Sequence, residues 1–119
     1  MKILDSGKRQ TFETGSVRDV REGKGRFDLL PPAAITLLAK HFEEGAKKYG
    51  DNNWLKGQPL SRYLDSALRH LFKVLAGQED EPHDRAAAWN LMAYMETKER
   101  IRDGRLPKEL DDMPRAGKK

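Results

Sequence analysis

The sequence predicts an all-α fold, a small helical bundle with an irregular N-terminal arm and a loose C-terminal tail. Three observations predict it. Apolar residues recur at helical spacing in three segments, within 29–50, 61–77 and 82–101. Each segment has its own start and stop residues. Glycine, proline and mixed charge break the pattern elsewhere. The divisions fall at an arm of residues 1–27, a helical domain of 28–102 and a polar tail of 103–119. At 119 residues the chain is the size of one domain.

The arm carries Gly7, Gly15, Gly23 and Gly25. Its stretch RDVREGKGRFD sets Arg18, Arg21, Lys24 and Arg26 close together. Such an arm is either solvated and flexible or folds over a phosphate, with the glycines letting backbone N–H groups approach.

In the first segment, LLPPAAITLLAKHFEEGAKKYG, Pro31 and Pro32 suit a helix start and Gly50 the residue after its end. Lys47 and Lys48 complement the dipole in the last turn. Ile35, Leu38, Ala39, Phe42, Ala46 and Tyr49 form one stripe. Glu44 points away from it. Glu43 sits on its shoulder, as an ordinary boundary residue or as a carboxylate facing a crevice. GDNNWLKGQP then reads as a loop, where Trp54 either plugs the bundle or stacks on a base.

In SRYLDSALRHLFKVLAG, Ser61 suits an N-cap and Gly77 a stop. Leu64, Ala67, Leu68, Leu71 and Leu75 make the stripe, with Asp65 and His70 on opposite shoulders. The acidic turn QEDEPHD leads into the third segment, where Asp80 or Glu81 can cap, Pro82 sits near the first position and Asp84 favours the dipole. From Ala86 to Met95 that helix is apolar almost all round and should be central. His83 and Asn90 share one of its faces. The tail RDGRLPKELDDMPRAGKK has a glycine-proline composition that frays or wraps weakly.

Charged residues are 35% and hydrophobic ones 37%, with a mean hydropathy of −0.85. A core this small gains from self-association. There is no cysteine, which excludes disulfides and thiolate metal sites and fits a reducing compartment. No apolar stretch approaches the roughly 20 residues that span a bilayer, and the start is too short in apolar residues for a signal peptide. A cytoplasmic location is expected. The net charge of +4 suits an anionic partner, either nucleic acid or a nucleotide phosphate.

A buried amide without partners costs about 1–3 kcal/mol, so Asn90 needs a partner. It is either a hydrogen-bond link between helices or one wall of a polar site. Glu43, His70 and His83 occupy inner or shoulder positions on three helices, which is how metal sites are built inside bundles. A lone histidine beside an apolar face is more often a packed residue than a ligand.

GKGRFDLLPPAA, GAKKYGDNNWLKG, SRYLDSALRH and HDRAAAWNLMA together resemble the dATP/dGTP diphosphohydrolase N-terminal domain common in phages, including its MazZ type. The resemblance covers about residues 15–96. That family is similar to the all-α nucleoside triphosphate pyrophosphohydrolases related to MazG. It implies a metal-dependent cleavage of a purine deoxynucleoside triphosphate, dGTP or dATP, to the monophosphate and pyrophosphate. It also implies a homo-oligomer and, for a phage-encoded chain, a location in the host cytoplasm; neither a membrane nor a nucleic-acid partner is expected. The alternative is a non-catalytic nucleotide- or DNA-binding helical module.

The MazG-like pattern of ExxE and ExxD departs here. Laid along it, His70 and Ala67 fall at the Glu positions of one helix, and Asn90 and Ala87 at the Asp and Glu positions of the next. Glu43 is the first candidate to supply the missing charge, followed by Asp65, Asp80, Glu81 and Asp84. The resemblance thus implies Glu43, His70 and Asn90 as catalytic, with Asp65 and His83 joining them as candidate metal ligands. Mg²⁺ is the expected ion, and imidazole ligands lean toward Mn²⁺. Lys24, Arg26, Lys48 and Tyr49 would bind the substrate with Asn53 and Trp54, the last two at the purine.

Overall fold

The computed structural model describes residues 3–115, which fall into two compact units, one up to Pro31 and one from Pro32. The helical fold class holds.

The first unit contains a short antiparallel hairpin, β1 (Arg9–Thr11) and β2 (Val17–Asp19), with Gln10 opposite Arg18. Three-residue strands are too short to show alternation, so the arm reads as irregular in sequence. Asp19 organises the unit: it accepts from the Ser6 backbone N–H at 3.1 Å and from Lys24 Nζ at 2.8 Å. Those bonds hold its carboxyl well below the usual carboxylate range, the Lys24 bond most of all.

The second unit holds three α-helices: α1 (Pro32–Tyr49), α2 (Leu60–Leu75) and α3 (His83–Arg102). Pro32 opens α1, and Gly50 closes it at φ +93°, its N–H donating to Ala46 O at 2.8 Å. No helix among the described residues is long and apolar enough to cross a membrane.

The start of α2 differs from the expected Ser61 cap. The helix begins two residues earlier, at Leu60 with Pro59 in the N-cap position, and its N-terminus is capped from the far end of the chain. Asp112 accepts the Ser61 backbone N–H at 2.9 Å and the Ser61 hydroxyl at 2.5 Å. Residues 103–115 therefore wrap back toward α2. Leu106 and Leu110 approach Gly57, whose φ of +100° and crowded Cα leave no room for a Cβ. The Ser61 hydrogen bonds hold the Asp112 carboxyl below its ordinary value. A carboxylate depressed in the folded state stabilises above its unfolded pKa of about 3.9, and the contribution is lost as pH falls through the folded value. Asp112→Ala is therefore expected to lower the urea midpoint at neutral pH. The gap from the parent should close on acidification below about pH 4. A gap that persists in acid would mean that the carboxylate does not cap the helix.

The core lies between α2 and α3. They run antiparallel, with Thr97 Oγ1 meeting Tyr63 OH at one end and His70 meeting His83 at the other. Alanines 67, 86, 87 and 93 are buried, which lets the two backbones approach closely. Leu60, Tyr63 and Ala93 form the buried centre, flanked by Trp54, Trp89 and Met113 among others.

The leucine stripe expected to be buried on α2 is largely outside. Ala67 is buried and Leu64 half-buried, whereas Leu68, Leu71 and Leu75 are exposed. At about 100° per residue these leucines lie roughly 90° round from the face of Tyr63, Ala67 and His70 that meets α3. The apolar arc is wider than one contact, and periodicity alone does not say which edge a neighbour takes. Likewise α1 has no fully buried residue.

Candidate functional site

The densest polar cluster lies where α2 ends and α3 begins. Gly77 stops α2 at φ +73°, and the turn brings Asp80 and Glu81 to the head of α3. His83, the first residue of α3, is 2% exposed, and His70, in the last third of α2, is 9% exposed. Their Nδ1 atoms lie 2.9 Å apart. His83 Nε2 lies 2.8 Å from Asp80 Oδ1. Asp80, His83 and His70 thus form one hydrogen-bonded chain from surface to interior. The His83 bond lowers the pKa of Asp80, while burial, then the positive Arg69, lowers that of His70. At neutral pH His70 is accordingly a neutral imidazole.

A second part comes from α1. His41 packs beside Trp89 with ring centroids 6.3 Å apart, and its Nδ1 is buried without a partner among the described residues. Burial, then Arg85, lowers its pKa. Arg85, on the first turn of α3, sends Nη2 to both oxygens of Glu44 at 3.1 Å, while its Nε is buried without a partner among the described residues. The negative charge of Glu81 opposes the lowering at both His41 and His70. An open depression of about 480 Å³ lies over residues 77–84 and Val74.

Of the residues singled out in the sequence, the structure brings His70 and His83 together with Asp80 and Glu81. Asn90 lies seven residues along α3 from His83, about 10 Å at 1.5 Å per residue. It is 8% exposed, and its Nδ2 donates to Ala86 O on its own helix at 2.8 Å. The amide is therefore satisfied within α3 and makes no interhelical link among the described residues. Glu43 is exposed and has no ion pair among the described residues; on α1 it lies about 160° round from His41. Asp65 is exposed on α2. Lys48 lies over the exposed Tyr49 ring at 5.1 Å, and Asn53 is half-buried. Trp54 packs against Phe42 and Trp89, so its indole plugs the bundle. In the first unit, Lys24 pairs with Asp19 and Arg26 with Asp28, both at 2.8 Å.

Sequence reading missed His41, Glu44 and Arg85. The i,i+3 spacing of His41 and Glu44 was a usable signal for a shared face. Nothing in a single sequence set α1 against the head of α3.

A family model for the dATP/dGTP diphosphohydrolase N-terminal domain matches residues 14–105. The chain belongs to that family. It is also similar to a flagella basal body P-ring formation protein FlgA from Yersinia enterocolitica, 39% identical over 67 residues. That match covers 56% of this chain, which spans only 27% of the length of that relative. No solved structure matches the chain.

A divalent cation suits the cluster chemically. Asp80, Glu81 and His83 each offer a ligand atom, and these lie within 4.8 Å of one another. Two carboxylates with imidazoles nearby form a mixed oxygen–nitrogen donor set of the kind that divalent ions accept.

Proposed function

We propose that the chain is a metal-dependent pyrophosphohydrolase that converts dGTP or dATP to the monophosphate and pyrophosphate. The observation that carries this reading is the family match over residues 14–105, with the Asp80–His83–His70 cluster as the site best suited to the chemistry.

A triphosphate must be neutralised before water can approach its α-phosphorus. A bound divalent ion supplies that neutralisation and acidifies water. Asp80 and Glu81 would hold it at the mouth of the α2–α3 turn. His70, neutral and buried, offers an imidazole nitrogen as proton acceptor. Arg85 places a guanidinium beside the same turn, where it can trade Glu44 for a phosphate oxygen. Water then attacks the α-phosphorus in line and pyrophosphate leaves. In this arrangement Asp80 and Glu81 supply the missing negative charge for which Glu43 was the first candidate.

A second copy of the chain is the proposed partner. On α3, Leu91 and Met95 are exposed, displaced about 100–140° from Asn90 in the same rotational sense as the leucines of α2. On antiparallel neighbours this sets both on one side of the α2–α3 pair. Trp89 and α1 lie on the other side. Exposed leucines of α2 and Leu91 and Met95 of α3 thus share one side of the pair, the kind of apolar surface that marks an interaction site.

The test incubates the protein with dGTP or dATP and Mg²⁺, Mn²⁺ or chelator, and resolves the products by ion exchange. Metal-dependent monophosphate and pyrophosphate are expected. Diphosphate and phosphate would mean that another bond breaks, and nucleotide binding without turnover would favour the binding-module reading. Sedimentation of the same sample should show a dimer or larger; a monomer at micromolar concentration would refute the self-association.

A further inference from the structure

We infer that Glu44 is a resident stand-in for a phosphate group: its carboxylate occupies the Arg85 guanidinium in the free protein and yields it to a phosphate oxyanion entering between α1 and the head of α3. That this phosphate belongs to a deoxynucleotide rests on the proposed hydrolase reading; the exchange at Arg85 does not.

The Arg85–Glu44 bridge is an incomplete ion pair by the standard of this molecule. Arg26 meets Asp28 with two parallel bonds, Nε to Oδ1 and Nη2 to Oδ2, each 2.8 Å. Arg85 instead shares Nη2 alone between both oxygens of Glu44, each at 3.1 Å. Charge-assisted bonds of good geometry run about 2.7–2.9 Å, and the two-nitrogen fork is the stronger form. Nε of Arg85 meanwhile stays buried without a partner among the described residues. Buried polar atoms are seldom left unpaired, and one on a charged group is the costlier kind. A second such atom, His41 Nδ1, lies on α1 three residues before Glu44 and so on the same face. One ion pair thus joins two helices that each carry a buried polar atom in want of a partner.

The two partners are unequal. The side chain of Arg85 is 15% exposed and that of Glu44 58%. Glu44 can swing into water at little cost, because ion pairs this open contribute little. Arg85 stays where burial holds it. A phosphate in the place of the carboxylate brings more charge and a tetrahedron of oxygens, so it can engage Nη2 and a neighbouring N–H of the same fork. Asp80, Glu81 and Asp84 all lie within the five residues before Arg85 and oppose an anion. Affinity in the absence of a cation is therefore low, and Glu44 lowers it further by holding the guanidinium.

The probe is inorganic pyrophosphate, titrated into the full-length ¹⁵N-labelled protein in chelator at low salt. The readout is the Nε–H signal of Arg85, assigned by its absence from Arg85→Lys. In the wild type this signal is expected to shift as pyrophosphate is added. Glu44→Gln should bind pyrophosphate about three- to fivefold more tightly, the scale of an ion pair at this exposure. Glu43→Gln removes the same charge one residue away, from a carboxylate with no ion pair among the described residues, and should stay within about twofold of wild type. Arg85→Lys keeps the charge and loses the fork, so pyrophosphate should no longer shift the backbone amides at the head of α3. An Arg85 signal that pyrophosphate does not move would overturn the inference. Equal affinity in Glu44→Gln and wild type would do the same, even with a lowered urea midpoint, since the bridge would then only hold α1 in place. So would an equal gain in Glu43→Gln, which would show diffuse charge and no exchange. Turnover of dGTP and dATP by the same wild-type sample with metal separates the two claims. Exchange at Arg85 without turnover removes the hydrolase reading and leaves the stand-in standing. Turnover with an unmoved Arg85 signal does the opposite.

Discussion

Replacing His70 by alanine is expected to lower metal-dependent cleavage of its preferred nucleotide by about 100-fold or more, the scale seen when a general base or its support is lost. It should also destabilise the fold, because His83 Nδ1 would be left without its partner at a position 2% exposed. An unsatisfied buried polar group costs about 1–3 kcal/mol. The two effects can be separated with His70→Asn. Its side-chain amide can still donate near the place of Nδ1, but it has nothing where Nε2 was. Cleavage should then fall as far as in the alanine variant, while the urea midpoint stays closer to the wild type. The measurement is the initial rate of monophosphate formation, with unfolding curves on the same preparations. An asparagine variant that keeps its rate would show that His70 serves only as the hydrogen-bond partner of His83.

Periodicity and capping residues predicted the three helices, because local sequence dictates where a helix starts and stops. Pro32 and Gly50 bracket α1, and Gly77 stops α2. Contacts between segments distant in sequence were not legible. The cap on α2 comes from Asp112, 51 residues beyond Ser61, and no local pattern around Ser61 announces it. The α2 leucines were assigned to the core because a wheel shows an apolar arc and not the edge of it that a neighbour takes. His70 and His83 stood out as polar groups beside apolar faces. Their direct bond became visible only once the α2–α3 turn fixed the register. Asn90 drew attention for a sound reason, the cost of burying an amide, but α3 satisfies that cost through the Ala86 carbonyl.

Trp89→Ala is the substitution expected to cost the fold most. Trp89 is the junction of the aromatic cluster. Its ring lies 5.9 Å from Phe42 of α1, 6.3 Å from Trp54 in the loop and 6.5 Å from Tyr63 of α2. One side chain on α3 therefore ties together α1, the loop after it and α2. Truncating a core tryptophan costs about 3–5 kcal/mol. Trp89 is only partly buried, so the lower end applies, still a large share of the roughly 5–15 kcal/mol that a domain has. With a urea slope of about 1–3 kcal/mol per molar, the midpoint should fall by 1 M or more. Because α1 has no fully buried residue, its hold on the α2–α3 pair depends on this cluster, and amide exchange should show α1 losing protection before α2 and α3. The unfolding curves should be followed by circular dichroism, since the substitution removes a fluorophore, and taken at two protein concentrations. Self-association through the exposed leucine face would make the stability of both proteins concentration-dependent. The Trp89 cluster lies within one chain, so the difference between variant and wild type should not depend on concentration. A cost below about 1 kcal/mol at both concentrations would mean that α1 is held by contacts other than this cluster.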